Sequence, residues 1–166
     1  MDAAKLKKLI TEDDTWATGE GENEEGTPFI LRYRINLHDF VQTAEYNTGL
    51  VVLWNYQPED DSLMATAEDM DLMGKVEDNL VAAMEHDLHA VLAFVFTGMG
   101  QREWHWYTTD VEESGKRINE ALSEFDELPL ELSAEEDPEW TEYFAILDGA
   151  AESEEEEDGT ADEEEN

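Results

Sequence analysis

The chain has 166 residues, 45 acidic against 9 basic side chains, a formal net charge of −36, no cysteine and 40% hydrophobic residues. That length and apolar content suit one domain with its own core. The charge repels phosphate backbones and anionic lipid, which excludes nucleic acid and membrane surfaces as partners, and the lack of thiols removes disulfide and thiolate chemistry. A protein with a basic surface is the electrostatically favoured partner.

The first segment, "MDAAKLKKLITEDD", interleaves Lys5, Lys7 and Lys8 with Leu6, Leu9 and Ile10. It predicts a short amphipathic helix, an amino-terminal arm over residues 1–14, and it lacks the apolar run of a signal peptide. The longest apolar run, residues 90–96, is far too short to span a bilayer, so a soluble, cytoplasmic protein is expected. Residues 15–20 alternate weakly, as a strand can, and "EGENEEG" follows as a polar loop. Residues 29–38 place Phe29, Leu31, Tyr33, Ile35 and Leu37 on one face and Arg32, Arg34, Asn36 and His38 on the other, the pattern of a half-buried strand. After the turn signal Asn47-Thr48-Gly49, the run "LVVLW" predicts a central strand.

From Leu63 the period changes. Leu63, Ala67, Met70, Met73, Val76, Leu80, Met84 and Leu88 recur every three or four residues, which predicts a long amphipathic helix. "AVLAFVF" is the next strand and residues 103–108 its hairpin partner, with Trp104 and Trp106 on the core face. Asp110 then caps a helix, with Glu113 completing a capping box and Val111, Gly115, Ile118, Leu122 and Phe125 forming its buried stripe. "LPLEL" is a short edge strand marked by Pro129. Asp137 and Pro138 open a last helix, as N-cap and first helical residue. The domain spans residues 15–148. The tail, residues 149–166, is too poor in apolar residues to fold. Counting from Asp148, the end of the chain holds 11 acids and no base, yet 34 acids remain against 9 bases before it.

Strand, helix, strand, strand, helix, strand after residue 49 is the split βαβ, or ferredoxin-like, order: an α+β fold with an antiparallel sheet and two helices on one face. The amino-terminal strands extend or cover that sheet. The unbroken apolar strands predict that the second face is covered as well, by those strands, by the last helix or by a second subunit.

"TGMGQREWHWYTTD", "INEAL", "LPLEL" and "DPEWTEYFAIL" resemble the bacterial family known as domain of unknown function 695. Arg102, Trp104, Trp106, Tyr107, Asp137, Pro138 and Trp140 are the matching positions. The resemblance covers the carboxy-terminal two-thirds and leaves out the first 27 residues and the tail. That family is in turn distantly similar to the regulator of ribonuclease E activity B, an acidic protein inhibitor. The resemblance implies a ferredoxin-like fold and no particular activity.

Candidate chemistry is sparse. Gly98-x-Gly100 joins two strands, whereas a phosphate loop opens a helix. His86 and His89 lie one turn apart near a helix end, where they complement the dipole, and no second ligand cluster accompanies them. No twelve-residue calcium loop is present. Arg32 and Arg34 are expected to pair on the surface with the protein's own carboxylates, worth about 0–1 kcal/mol each. They could join Arg102 as a ligand or partner face if their strands are neighbours. Glu103, His105 and Tyr107 share the face opposite the tryptophans and read as a polar cross-strand ladder. The leading expectation is a non-catalytic, soluble binding or regulatory module acting on another protein, with no cofactor and no metal. A homodimer through the sheet face or edge is possible. The alternative is a small hydrolase or ligand-binding domain using Glu103, His105 and Tyr107.

Raising salt from about 0.01 to 1 M shortens electrostatic screening from roughly 30 to 3 Å and relieves carboxylate repulsion. The denaturant midpoint should therefore rise with sodium chloride; a flat or falling midpoint would show that carboxylate repulsion does not limit stability.

Overall fold

The computed structural model describes residues 3–22, 24–56, 58, 65–125, 128 and 130–149. The predicted tail beyond 149, and with it Leu63 and Pro129, lies outside the described residues. Among the described residues, six strands and five helices follow in the order α1 (Ala3–Leu9), β1 (Trp16–Glu22), β2 (Pro28–Arg34), α2 (His38–Gln42), β3 (Thr48–Asn55), α3 (Ala67–Glu85), β4 (Ala90–Gly98), β5 (Gln101–Thr108), α4 (Val111–Ala121), β6 (Leu130–Glu136) and α5 (141–149).

One antiparallel sheet runs β1-β2-β4-β5-β3-β6. Its last four strands are in the ferredoxin-like arrangement: β3-α3-β4 and β5-α4-β6 each cross over a neighbouring strand, so the chain-adjacent strands of each crossover run parallel while every bonded pair is antiparallel. The amino-terminal strands extend the sheet, β2 pairing with β4 from Phe29 opposite Gly98 to Tyr33 opposite Phe94.

Strand parity sorts the sheet into two faces. On one, Leu50, Val52, Trp54, Leu92, Val95, Trp104 and Trp106 pack against Met73, Val76, Leu80 and Met84 of α3 and Ile118 of α4. Both tryptophans of "EWHWY" are fully buried there, as their alternation predicts. On the other, Tyr33, Val91, Ala93, Phe94 and Tyr107 pack against Leu6 of α1 and Ile10 just after it, Phe40 of α2, and Trp140 and Tyr143 at α5. The predicted arm is thus docked: Lys7 Nζ donates to the carbonyls of Glu85 (3.0 Å) and His86 (2.7 Å) at the end of α3.

Several local expectations are corrected. Residues 29–38 are one strand only as far as Arg34; Leu37 and the short α2 follow, and Leu37 is wholly buried. Asp110 accepts from the Glu113 amide (3.2 Å), but Glu113 turns away to Arg117 (2.8 Å), so the capping box is half made. The deepest residues of α4 are Ser114 and Ile118, while Val111 is 39% exposed. The hairpin turn at Met99-Gly100 has both residues at positive φ (54° and 79°), the type I′ geometry that matches strand twist. Gly98 is required for a different reason: a Cβ there would lie 2.7 Å from Phe29 Cβ on the paired strand.

The last helix also starts later than expected. Residues 137–140 form a turn closed by the Trp140 amide on the Asp137 carbonyl (3.0 Å), and Trp140 takes φ +57° before α5 begins. Asp137 still caps, at longer range: its carboxylate accepts from the amides of Thr141 (2.8 Å) and Glu142 (3.2 Å). Trp140 is held by Nε1 donating to the Tyr46 carbonyl (2.9 Å) and by a parallel stack on Tyr107 at 3.9 Å.

Trp106→Ala should destabilise the protein by about 3–5 kcal/mol, the cost of emptying a large side chain from a core that cannot collapse around it. Urea midpoints measure this. A loss below about 1 kcal/mol, the typical surface range, would place Trp106 outside the core.

Candidate functional site

The six residues that the sequence singles out do not form one face. Arg32, Arg34 and Arg102 lie on the side covered by α3, while Glu103, His105 and Tyr107 lie on the other. The strands of Arg32 and Arg102 are separated by β4.

The arginines are not a surface ladder. Arg34 is 2% exposed and donates to Glu85 (2.7 and 3.2 Å), Asp14 (2.8 and 3.3 Å) and the Leu92 carbonyl (3.0 Å). Burial works against its charge, but Glu85 and Asp14 outweigh it and hold the guanidinium above its ordinary pKa. Arg32 pairs with Glu77, whose carboxylate also accepts from Trp104 Nε1 (2.9 Å). Both guanidinium groups stack on Trp16 at 4.8 Å. The sequence signal for this arrangement is a pair of carboxylates on α3, eight residues apart: Glu77 and Glu85 sit beside the apolar stripe at helical spacing.

The second face is covered only in part. Beyond α5, strands β5, β3 and β6 leave an open groove of about 910 Å³. Rows across the sheet build it: Phe94, His105, Val51 and Ser133 in one, Glu103, Leu53 and Glu131 in the next. Val51, Leu53, Glu103 and His105 are half-buried, and Glu131, Ser133, Glu135 and Glu142 are exposed along the rim. Val51, Leu53 and Phe94 thus share the floor with Glu103 and His105, and Glu131, Glu135 and Glu142 make the rim acidic.

Within the groove, His105 stacks on Phe94 (4.1 Å, 14°), and Nε2 meets Glu103 Oε1 at 2.8 Å. Nδ1 lies 3.8 Å from Glu142. Tyr107 is buried, donates to Asp137 (2.7 Å) and accepts from the Tyr143 amide (3.4 Å). Burial and the adjoining Asp137 push its phenol far above the ordinary range, so it serves as a strut rather than a proton carrier. Ser133, a hydroxyl lining the groove, is separated from His105 by the Val51 strand.

The two helix-end histidines do not converge. His86 is exposed, its Nδ1 bonded to the Ala82 carbonyl at 2.9 Å. His89 is buried beyond Leu88, which adopts φ +62°, and its Nε2 meets Ser114 Oγ at 2.8 Å. Burial, then Arg117, lowers its pKa. Ser114 is fully buried and also bonded to Thr108 (2.7 Å), so this serine–histidine contact ties β4, β5 and α4 together rather than meeting substrate. Among the described residues no group of three or more His, Asp or Glu side chains is placed to hold a metal ion.

The model of DUF695, a family of unknown function, matches residues 9–147, and the chain belongs to that family. The match takes in α1's last residue and both amino-terminal strands, more of the chain than the motifs alone indicate. No curated protein matches the sequence.

The match ends inside α5, whose start depends on Asp137. Burial raises the pKa of that carboxyl, but the bonds from Tyr107, Thr141 and Glu142 prevail and hold it below the usual range. A depressed carboxylate contributes stability above its unfolded pKa of about 3.9 and loses it as pH falls through the lower folded value. Asp137→Asn should cost about 1–2 kcal/mol at pH 7 and flatten part of the stability loss below about pH 4. Asp87, held low by Arg117, retains the rest. Urea midpoints against pH check this; equal acid slopes in the two proteins would show that Asp137 does not act as a charged cap.

Proposed function

We propose that this DUF695 protein is a binding module whose open sheet groove takes a basic segment of another protein. The observation that supports the reading is that apolar Val51, Leu53 and Phe94 and several carboxylates line one concavity. Val51, Leu53 and Phe94 offer apolar contact, and Glu103, Glu131, Glu135 and Glu142 surround them. Such a surface matches a partner that alternates apolar and cationic side chains, with charge setting encounter rate and apolar contact setting residence. A second copy of this chain fits poorly, because a two-fold contact on the groove would bring its acidic rim against itself.

A second reading, catalysis or small-ligand binding by the same groove, is favoured by one observation. The 2.8 Å contact of His105 with Glu103 is how a general base is oriented. Tyr107 takes no part in it, being locked to Asp137.

The test is a labelled seven-residue peptide alternating Lys and Val, the length of β6, beside its Glu and Val counterpart. The basic peptide should bind and weaken as salt rises. Glu131→Lys with Glu142→Lys should weaken it by about tenfold or more, about 1.4 kcal/mol. Equal binding of the acidic peptide, or indifference to the rim substitutions, would remove this reading. Turnover of a small ester abolished by His105→Ala would replace it with the second.

A further inference from the structure

The chain contains four arginines. Three pair with carboxylates: Arg32 with Glu77, Arg34 with Asp14 and Glu85, and Arg117 with Asp87 and Glu113. Arg102 does not. It is 8% exposed, its Nε donates to Thr97 Oγ1 at 2.9 Å, and its guanidinium lies 5.7 Å from the centre of the Trp104 ring. Among the described residues, no carboxylate comes within 4.0 Å of it. In a chain with five times as many acids as bases, a buried arginine without an acid is the anomaly.

Arg102 lines a cavity of about 310 Å³ between α3 and the sheet, on the face opposite the groove. Arg32 and Glu77 line it too and pair with one another, which leaves Arg102 without a directly bonded counter-charge among the described residues. Ile30, Met70 and Val95 supply apolar wall, and α3 passes with Gly74, whose side is open space. A buried charge without a counter-charge is costly unless something supplies one. Burial already disfavours the charged form of Arg102, and Glu77 only partly offsets this.

We propose that this cavity is a binding site for a small monoanion: a carboxylate with an apolar body, its carboxylate on Arg102 and its body against Ile30, Met70 and Val95. A guanidinium fork suits a carboxylate bidentately. The single free charge and the nearby Glu77 carboxylate favour a monoanion over a phosphate dianion. The apolar wall selects an aliphatic or aromatic body over a free inorganic ion.

Four arginines give a sparse set of side-chain Nε–H resonances, which makes the site observable in the intact protein. Hexanoate should shift one of them saturably, the one lost in Arg102→Met. Hexanamide, isosteric and neutral, and inorganic phosphate should not. Arg102→Met should weaken hexanoate binding by about tenfold or more, the value of one bidentate charged contact. If that variant fails to fold, Gly74→Leu keeps Arg102, fills the open space beside it and should weaken hexanoate similarly while preserving the hairpin and helix signals. No saturable shift in the native protein, equal response to hexanamide, or undiminished binding in both variants would overturn the proposal. These outcomes are independent of peptide binding at the groove.

Discussion

The Arg34–Glu85 pair is the contact on which the arrangement of layers depends. Glu85 reaches from the last turn of α3 and accepts both from Arg34 and from the Leu92 amide at 2.8 Å. Arg34 in turn donates to the Leu92 carbonyl. Leu92 borders the irregularity in β4 before Phe94, where the ladder skips a residue and leaves backbone groups in need of partners. The ion pair satisfies them. Asp14 adds the entry to β1, and Tyr143 adds α5, its hydroxyl donating to the Arg34 carbonyl at 2.7 Å. Removing one member of such a pair strands a buried charge, typically at about 3–5 kcal/mol, and here it would also loosen four elements at once.

That dependence explains what the sequence discloses and what it hides. Periodicity places the long helix, the two crossovers and the tryptophan face, because those follow from local spacing and from burial of large apolar side chains. Alternation also puts Arg32 and Arg34 together opposite Phe29 and Leu31, as the fold does. Polarity then suggests that the arginine face looks to water, and it does not. Glu77 and Glu85 come from a helix more than forty residues away, so the compensation is a tertiary fact with no short-range signature. Asp-Pro resembles a helix start and so predicts Trp140 as a helical residue. The turn at 137–140, with Trp140 at positive φ, is fixed instead by its stack on Tyr107, again across the fold.

The groove has the same character. Its members come from β3, β4, β5, β6 and α5: Glu131, Glu135, Glu136, Asp137 and Glu142 fall in one stretch of the chain, but Glu103, His105, Val51, Leu53 and Phe94 reach them only through strand pairing. Parity singles out Glu103, His105 and Tyr107, but their neighbours depend on strand order, above all on β6 lying outside β3. Acidity spread along the chain gives no hint of where it gathers around Val51, Leu53 and Phe94. Glu103 and His105 remain together in the groove, while Tyr107 is withdrawn from it by Asp137.

The division of the tryptophans between the two sides of the sheet gives the protein built-in reporters of each. Trp54, Trp104 and Trp106 belong to the layer under α3 and α4, with the rings of Trp54 and Trp104 6.2 Å apart; Trp140 belongs to the opposite layer, lying flat on a tyrosine. Near-ultraviolet dichroism should report the coupled indoles of the first layer, and the difference in emission between the native protein and Trp140→Phe should report the second. Coincident melting of both signals identifies a single cooperative unit joined through the sheet. Separated transitions identify a layer of α1, α2 and α5 that opens ahead of the rest.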